Sequence, residues 1–295
     1  MNITAITQSM RLPFLVLTFV SVFLGACIVI ASQRGVNLLF LFLALVGGLL
    51  AHISVNTLNE HVDFKSGLDH LTKKTPFSGG SGTLPQHPEA ANAVFKTGVV
   101  SLTLTTLIGC FFIWQYGVQL LPLGLLGLLL IVSYTQWINK FPVLCLISPG
   151  VGFGVLMVVG TQFVLTGEYL PEAFYIAVIP FLLANNLLLL NQYPDIQADS
   201  KVGRNHFPIA FGIQKSNMVY GLFALTTALI LAVYISIGFL PALSWIALIP
   251  MPLAIYSLYG AITHKGAIGS YPLYLGANVS VTVLTPLLLG ISILF

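Results

Sequence analysis

The apolar residues gather in long runs broken by short polar punctuation. Runs of about twenty residues, enough to cross roughly 30 Å of hydrocarbon as a helix, recur along the chain. They predict nine spans, at 12–32, 36–56, 93–115, 118–138, 143–166, 173–191, 216–238, 241–261 and 274–295. Only Asn139, Lys140, Phe141 and Pro142 separate the fourth span from the fifth, which makes that pair a tight helical hairpin. The first run follows Arg11 but is longer than the apolar stretch of a secretory signal, about 7 to 15 residues, and is read as a span. The fold class expected is an all-α membrane protein, with residues 1–295 forming a single domain.

Composition agrees with that pattern. Of the 295 residues 57% are hydrophobic and only 6% charged, against about 25% charged in ordinary soluble domains. A soluble globular protein is excluded. The net charge of +3 comes from 11 Lys and Arg against 8 Asp and Glu, too scattered to form a nucleic-acid footprint. Cys27, Cys110 and Cys145 each stand alone in an apolar run and are read as buried thiols.

With the amino terminus in the cytoplasm, Arg11, Lys65, Lys73, Lys74, Lys96, Lys140, Lys201, Arg204, Lys215 and Lys265 all fall on the cytoplasmic side, and only Arg34 falls outside. That asymmetry supports both the orientation and the span count. Five of the 8 acids, Glu60, Asp63, Asp69, Asp195 and Asp199, lie in two short segments that follow the second and sixth spans. Both segments emerge on the cytoplasmic face. Four helices separate them, which suggests two four-helix units of the same layout plus a terminal helix.

The segment from Asn191 to Asp199 sets Asn191, Asp195 and Asp199 at i, i+4 and i+8, on one face of a helix. Asn56, Glu60 and Asp63 share a face in the same way, and Asp69 follows beyond Gly67 as a residue able to reach back from a loop. Oxygen ligands without His or Cys suit a hard divalent ion such as Mg²⁺, which binds through one or two carboxylates and leaves its other positions to water and phosphate oxygens. The two clusters read as a diphosphate clamp. A cation pathway in a transporter is the competing class, although its acids belong nearer mid-span, where none occurs.

At these residues the chain resembles the UbiA superfamily of intramembrane aromatic prenyltransferases. Asn191 through Asp199 fits the family pattern NxxxDxxxD, followed by the basic stretch Lys201-Val-Gly-Arg204. The first motif, Asn56 through Asp69, is similar to the NxxNDxxDxxxGxD of the branch acting on 1,4-dihydroxy-2-naphthoate in menaquinone synthesis, with Glu60 where Asp is common. Two further departures are Pro194, which interrupts a continuous helix, and the absence of a Gly-Glu pair after the fourth span. The resemblance implies nine helices around a central cavity, open to membrane lipid, in a bacterial inner-membrane enzyme. It implies transfer of an isoprenoid group from a prenyl diphosphate to an aromatic acceptor. Glu60, Asp63, Asp69, Asp195 and Asp199 are then the metal-ligand candidates, with Asp63, Asp195 and Asp199 the catalytic set. Asn56, Asn191, Lys65, Lys201 and Arg204 become substrate contacts, and Tyr134 and Lys140 lie toward the acceptor. Acceptors of the 4-hydroxybenzoate or tetrapyrrole type remain open alternatives.

Other features read as structural. Residues 75–83 lack the Walker pattern and are expected to form part of a cytoplasmic lid. Gly124, Gly127, Gly150, Gly152 and Gly154 are expected to allow close helix packing. Asn185 and Asn186 are expected to hydrogen-bond between helices. His52, His61 and His70 share no helical face and are not read as metal ligands.

Overall fold

A computed structural model describes residues 2–295, and among them every regular element is helical. In chain order these are α1 (Ile3–Ser9), α2 (Leu12–Ala31), α3 (Leu38–Lys65), α4 (Pro88–Tyr116), α5 (Val118–Ser133), α6 (Pro142–Thr166), α7 (Pro171–Asn191), α8 (Ile196–Lys201), α9 (Phe207–Ser236), α10 (Ala242–Ser270) and α11 (Pro272–Ser292). Among the described residues, α2, α3, α4, α6, α7, α9, α10 and α11 are the 8 helices long and apolar enough to cross a membrane. The chain is an integral membrane protein.

The count of nine is met only in part. α5 occupies the fourth expected span but stops at Ser133, and turns follow as far as Phe141. Polar side chains there compete for the backbone: the Asn139 amide donates to the Thr135 carbonyl. The other boundaries follow local chemistry. Asn37 accepts hydrogen bonds from Leu39 and Phe40 at 2.9 and 3.2 Å and so starts α3. Proline stands in the first turn of α4, α6, α7, α9 and α11, where no amide hydrogen is missed. α9 begins at Phe207, earlier than the expected 216. A short first segment joins the long one across a break at Gly212, whose φ of 80° only glycine adopts easily.

Burial is uneven. The main core joins α2, α6, α7, α9, α10 and α11 around Leu24, Val158, Ile179, Leu183, Leu231 and Leu289. A ring of hydrogen bonds crosses it. The Asn186 amide donates to the Tyr220 carbonyl at 3.0 Å, the Tyr220 hydroxyl to Asn278 at 2.9 Å, and the Asn278 amide back to the Asn186 carbonyl at 3.1 Å. By contrast α5 has no buried residue between Leu121 and Ser133, since one face lines a cavity and the other is exposed. Cys27 and Cys145 are buried as expected, whereas Cys110, on α4, is exposed.

The glycines divide into two kinds. A Cβ on Gly150 would lie 2.4 Å from the Phe181 carbonyl oxygen, and one on Gly154 2.5 Å from the Phe181 nitrogen, so both permit close packing of α6 on α7. Gly124 and Gly152 do not, since a Cβ there meets nothing within 4 Å, and at Gly127 it meets only the Leu156 side chain, at 3.6 Å. These three border the cavity instead.

Candidate active site

A cavity of about 480 Å³ runs between α2, α3, α4, α5, α6 and α7. Its charged groups are confined to one end. There α3 delivers Asn56, Asn59 and Asp63; the loop after it, Asp69; and the stretch from the end of α7 into α8, Asn191, Asp195 and Asp199. The first cluster sits on one uninterrupted helix. The second does not: α7 ends at Asn191, Pro194 lies in the turn and a new helix starts at Ile196. The break follows from proline's missing amide and its clash with the preceding turn.

Arg204 joins the clusters. Its Nη1 lies 3.0 Å from Asp199 Oδ1, and its Nη2 is paired with Asp63 Oδ1. The second oxygen of each carboxylate is held as well, Asp63 Oδ2 by the Asn59 amide at 2.8 Å and Asp199 Oδ2 by His206 Nε2 at 2.9 Å. The Thr135 hydroxyl in turn donates to Asn59 Oδ1 at 2.9 Å.

The glycine-rich segment ties both clusters together. Gly79 donates its amide to Asp195 Oδ2 at 3.0 Å, and Ser81 donates its amide and hydroxyl to Glu60. Gly79 and Gly80 have φ of 76° and 70°, and a Cβ on Gly80 would come within 3.1 Å of Asp69 Oδ1. Glycine therefore lets the backbone approach three acids at once.

Of the residues expected from sequence, Asn56, Asp63, Asp69, Asn191, Asp195, Asp199, Arg204 and Tyr134 line the cavity. Glu60 does not. It is wholly buried, and its oxygens face Ser81 and Arg11, the latter at 3.3 Å. Its longer side chain carries the carboxylate past the cavity to the loop. Lys65, Lys140 and Lys201 are exposed and also lie off the lining, Lys65 and Lys201 at the ends of α3 and α8 and Lys140 in the turn after α5, where the strongly hydrated ammonium keeps its water. Sequence reasoning missed Arg11, Asn59, Ser81 and His206. Most of their partners are distant in sequence, and only the run of polar residues around Asn59 hinted at any of them.

Three oxygens of the two motifs lack a partner among the described residues. Asp69 Oδ2, Asn191 Oδ1 and Asp195 Oδ1 are buried and accept no hydrogen bond. Burial, with Glu60 and Asp63 nearby, pushes Asp69 up to about 7. Burial and Asp199 push Asp195 up to about 7, against the Gly79 hydrogen bond. Three unpaired oxygens, two of carboxylates and one of an amide, form a donor set suited to a hard cation, whose charge would favour the ionised carboxylates. Among the described residues no three acids, histidines or cysteines are already gathered at ligand spacing.

An all-helical membrane protein with two facing acidic clusters at the mouth of one apolar cavity is the class this geometry defines. The family model described as the UbiA prenyltransferase family matches residues 15–291, and the chain belongs to that family. It is a prenyltransferase, and the transporter alternative falls away. The chain is 26% identical over 248 residues to a 1,4-dihydroxy-2-naphthoate octaprenyltransferase of Haemophilus influenzae, covering 81% of this chain and 78% of the relative. It is 24% identical over 292 residues to the Escherichia coli protein of the same name, covering 97% and 94%. In fold it is similar to a UbiA homolog from Archaeoglobus fulgidus bound to GPP and Mg²⁺, with a TM-score of 0.70 and 14% identity over 98% of this chain and 99% of that one.

Proposed function

We propose that this enzyme transfers an isoprenoid group from a prenyl diphosphate to 1,4-dihydroxy-2-naphthoate or a similar quinone precursor, with Mg²⁺, at the cytoplasmic face of the membrane. The observation that carries the reading is the set of three unpartnered oxygens, on Asp69, Asn191 and Asp195, beside two guanidinium groups at the polar end of an apolar cavity. The names of the two relatives support the acceptor class, and GPP with Mg²⁺ in the related fold supports the donor and the ion.

Asp69, Asn191 and Asp195 would hold Mg²⁺, which when bound neutralises diphosphate oxygens and so stabilises the charge that grows on the leaving group. Arg11 and Arg204 present N–H donors to the same anion. Asp63 and Asp199 hold Arg204 in place, and His206 and Asn59 hold those carboxylates. Beyond this end the walls are apolar, so the allylic cation meets an aromatic ring and not water. Tyr134, which lines the cavity near the acids, would contact the acceptor.

The test is product formation by the purified protein in lipid nanodiscs, given farnesyl diphosphate and 1,4-dihydroxy-2-naphthoate with Mg²⁺ or with EDTA. Prenylated naphthoate that forms only with Mg²⁺ is expected. Diphosphate release without that product rejects the acceptor and keeps the clamp.

A further inference from the structure

We infer that Gly109 and Gly124, with Gly152 opposite them, decide how long an isoprenoid tail this enzyme accepts. The inference rests on a prenyl diphosphate being the donor. All three glycines line the cavity, and a Cβ built on any of them meets nothing within 4 Å. The space that a side chain would fill is therefore cavity. These positions differ from Gly150 and Gly154, where a Cβ would strike the backbone of α7.

Gly124 and Gly109 lie at different depths. Thr135 bonds to Asn59, and at about 1.5 Å of rise per residue Gly124 stands about 16 Å further along the chain from that level. Thr105 donates to the Gly47 carbonyl at 3.3 Å, and Gly47 lies about 18 Å along α3 from the same Asn59, so Gly109, one turn beyond Thr105, is about 24 Å deep. Phe112, one turn further along α4, also lines the cavity and packs edge-on to Phe40 at 5.5 Å.

The cavity cannot hold a long tail whole. A protein cavity of about 150 Å³ accommodates one benzene, so 480 Å³ has room for about three such rings, far short of an octaprenyl chain. The distal units must continue sideways into lipid. A wall one helix thick is offered by α5, whose inner face carries Gly124 and whose outer face exposes Leu121, Leu125 and Leu129. Gly124 gives the tail its width along that wall, and Gly109 on α4 and Gly152 on α6 give it width on the other sides of the cavity.

Binding of unreactive geranyl, geranylgeranyl and octaprenyl thiolodiphosphates, measured by calorimetry on the full chain in nanodiscs, tests this independently of the acceptor. Gly124→Leu is expected to weaken the two longer ligands by about tenfold or more while geranyl stays within about twofold. Gly109→Leu is expected to weaken octaprenyl alone. Gly124→Ala adds one methyl to open space, serves where the larger variant folds poorly, and is expected to show the same ranking more weakly. Gly154→Leu, a packing control, is expected to lower the melting temperature and affect all three ligands alike. Equal losses at every length for the Gly124 variants, or no loss, would overturn the inference. Length discrimination without prenylated naphthoate would overturn the acceptor assignment and leave this one standing.

Discussion

Asp63 and Asp199 hold two nitrogens of a single guanidinium, although one lies near the end of α3 and the other in α8. Arg204 is what lets both carboxylates stay buried at one site. Removing the shared partner of a buried pair leaves uncompensated charge, at a cost of about 3 to 5 kcal/mol. Arg204→Gln is accordingly expected to lower the melting temperature and reduce turnover by at least about a hundredfold. Arg204→Lys is expected to restore much of the stability and little of the turnover, because an ammonium cannot span both carboxylates as a fork does. Thermal melts beside diphosphate-release rates separate the two effects.

Asp195 is the clearest case of a carboxylate kept for a ligand. Oδ1 has no partner among the described residues and Oδ2 takes only the Gly79 amide. Asp195→Asn keeps volume and removes the charge, so the protein is expected to fold and insert normally while diphosphate release falls by more than about a hundredfold. Near-normal release would take this carboxylate out of the mechanism.

Protons compete with the cation. Asp69 and Asp195 are raised from 3.8 to about 7, so the metal-free fold favours their neutral forms. Their contribution to stability is complete below about 4 and is lost as pH rises through 7. A cation needs the ionised forms, so its affinity is expected to move in the opposite direction. Between pH 6 and pH 8 apparent Mg²⁺ affinity should rise at least about tenfold, which calorimetry at three pH values checks.

Glu60 holds the glycine-rich segment against the site through Ser81 and Arg11. From the sequence, Glu60→Asp restores the more common family residue and should be harmless. With the structure in view the expectation reverses. The shorter side chain cannot reach Ser81, so Glu60→Asp should raise the KM for prenyl diphosphate several-fold and speed proteolysis within residues 71–87. Unchanged KM and cleavage would show that the segment is held by Gly79 and Asp195 alone.

The Asn186, Tyr220 and Asn278 ring is remote from the acidic clusters. Interhelical hydrogen bonds within membranes contribute about 0.6 kcal/mol on average and at most about 1.7. Tyr220→Phe is expected to lose an amount in that range and to keep full activity per folded molecule, as chemical unfolding and steady-state rates will report.

The spans, the all-helical class and both acidic clusters were legible because hydropathy and the spacing of Asn and Asp act locally. Asp63, Asp195 and Arg204 could be picked out for that reason. Arg11 could not, since its partner Glu60 is reached only when the chain has crossed the membrane and returned. That Lys65, Lys140 and Lys201 are exposed and off the cavity lining was not legible for a related reason: a charge count gives sidedness but not direction. Gly124 and Gly152 carry the same letter as Gly154, and only the neighbouring helix tells an open glycine from a crowded one.

The unequal lengths of α3 and α5 carry a consequence for the surrounding bilayer. At 28 residues α3 is about 42 Å long, some 12 Å more than typical hydrocarbon thickness, so Glu60 and Asp63 ride at headgroup depth. α5 extends only about 24 Å and leaves a hydrophobic mismatch beside it, which lipids meet by thinning. Acyl-chain length thereby becomes a control variable. Short-chain lipids fit α5 without strain, and long-chain lipids must compress beside it.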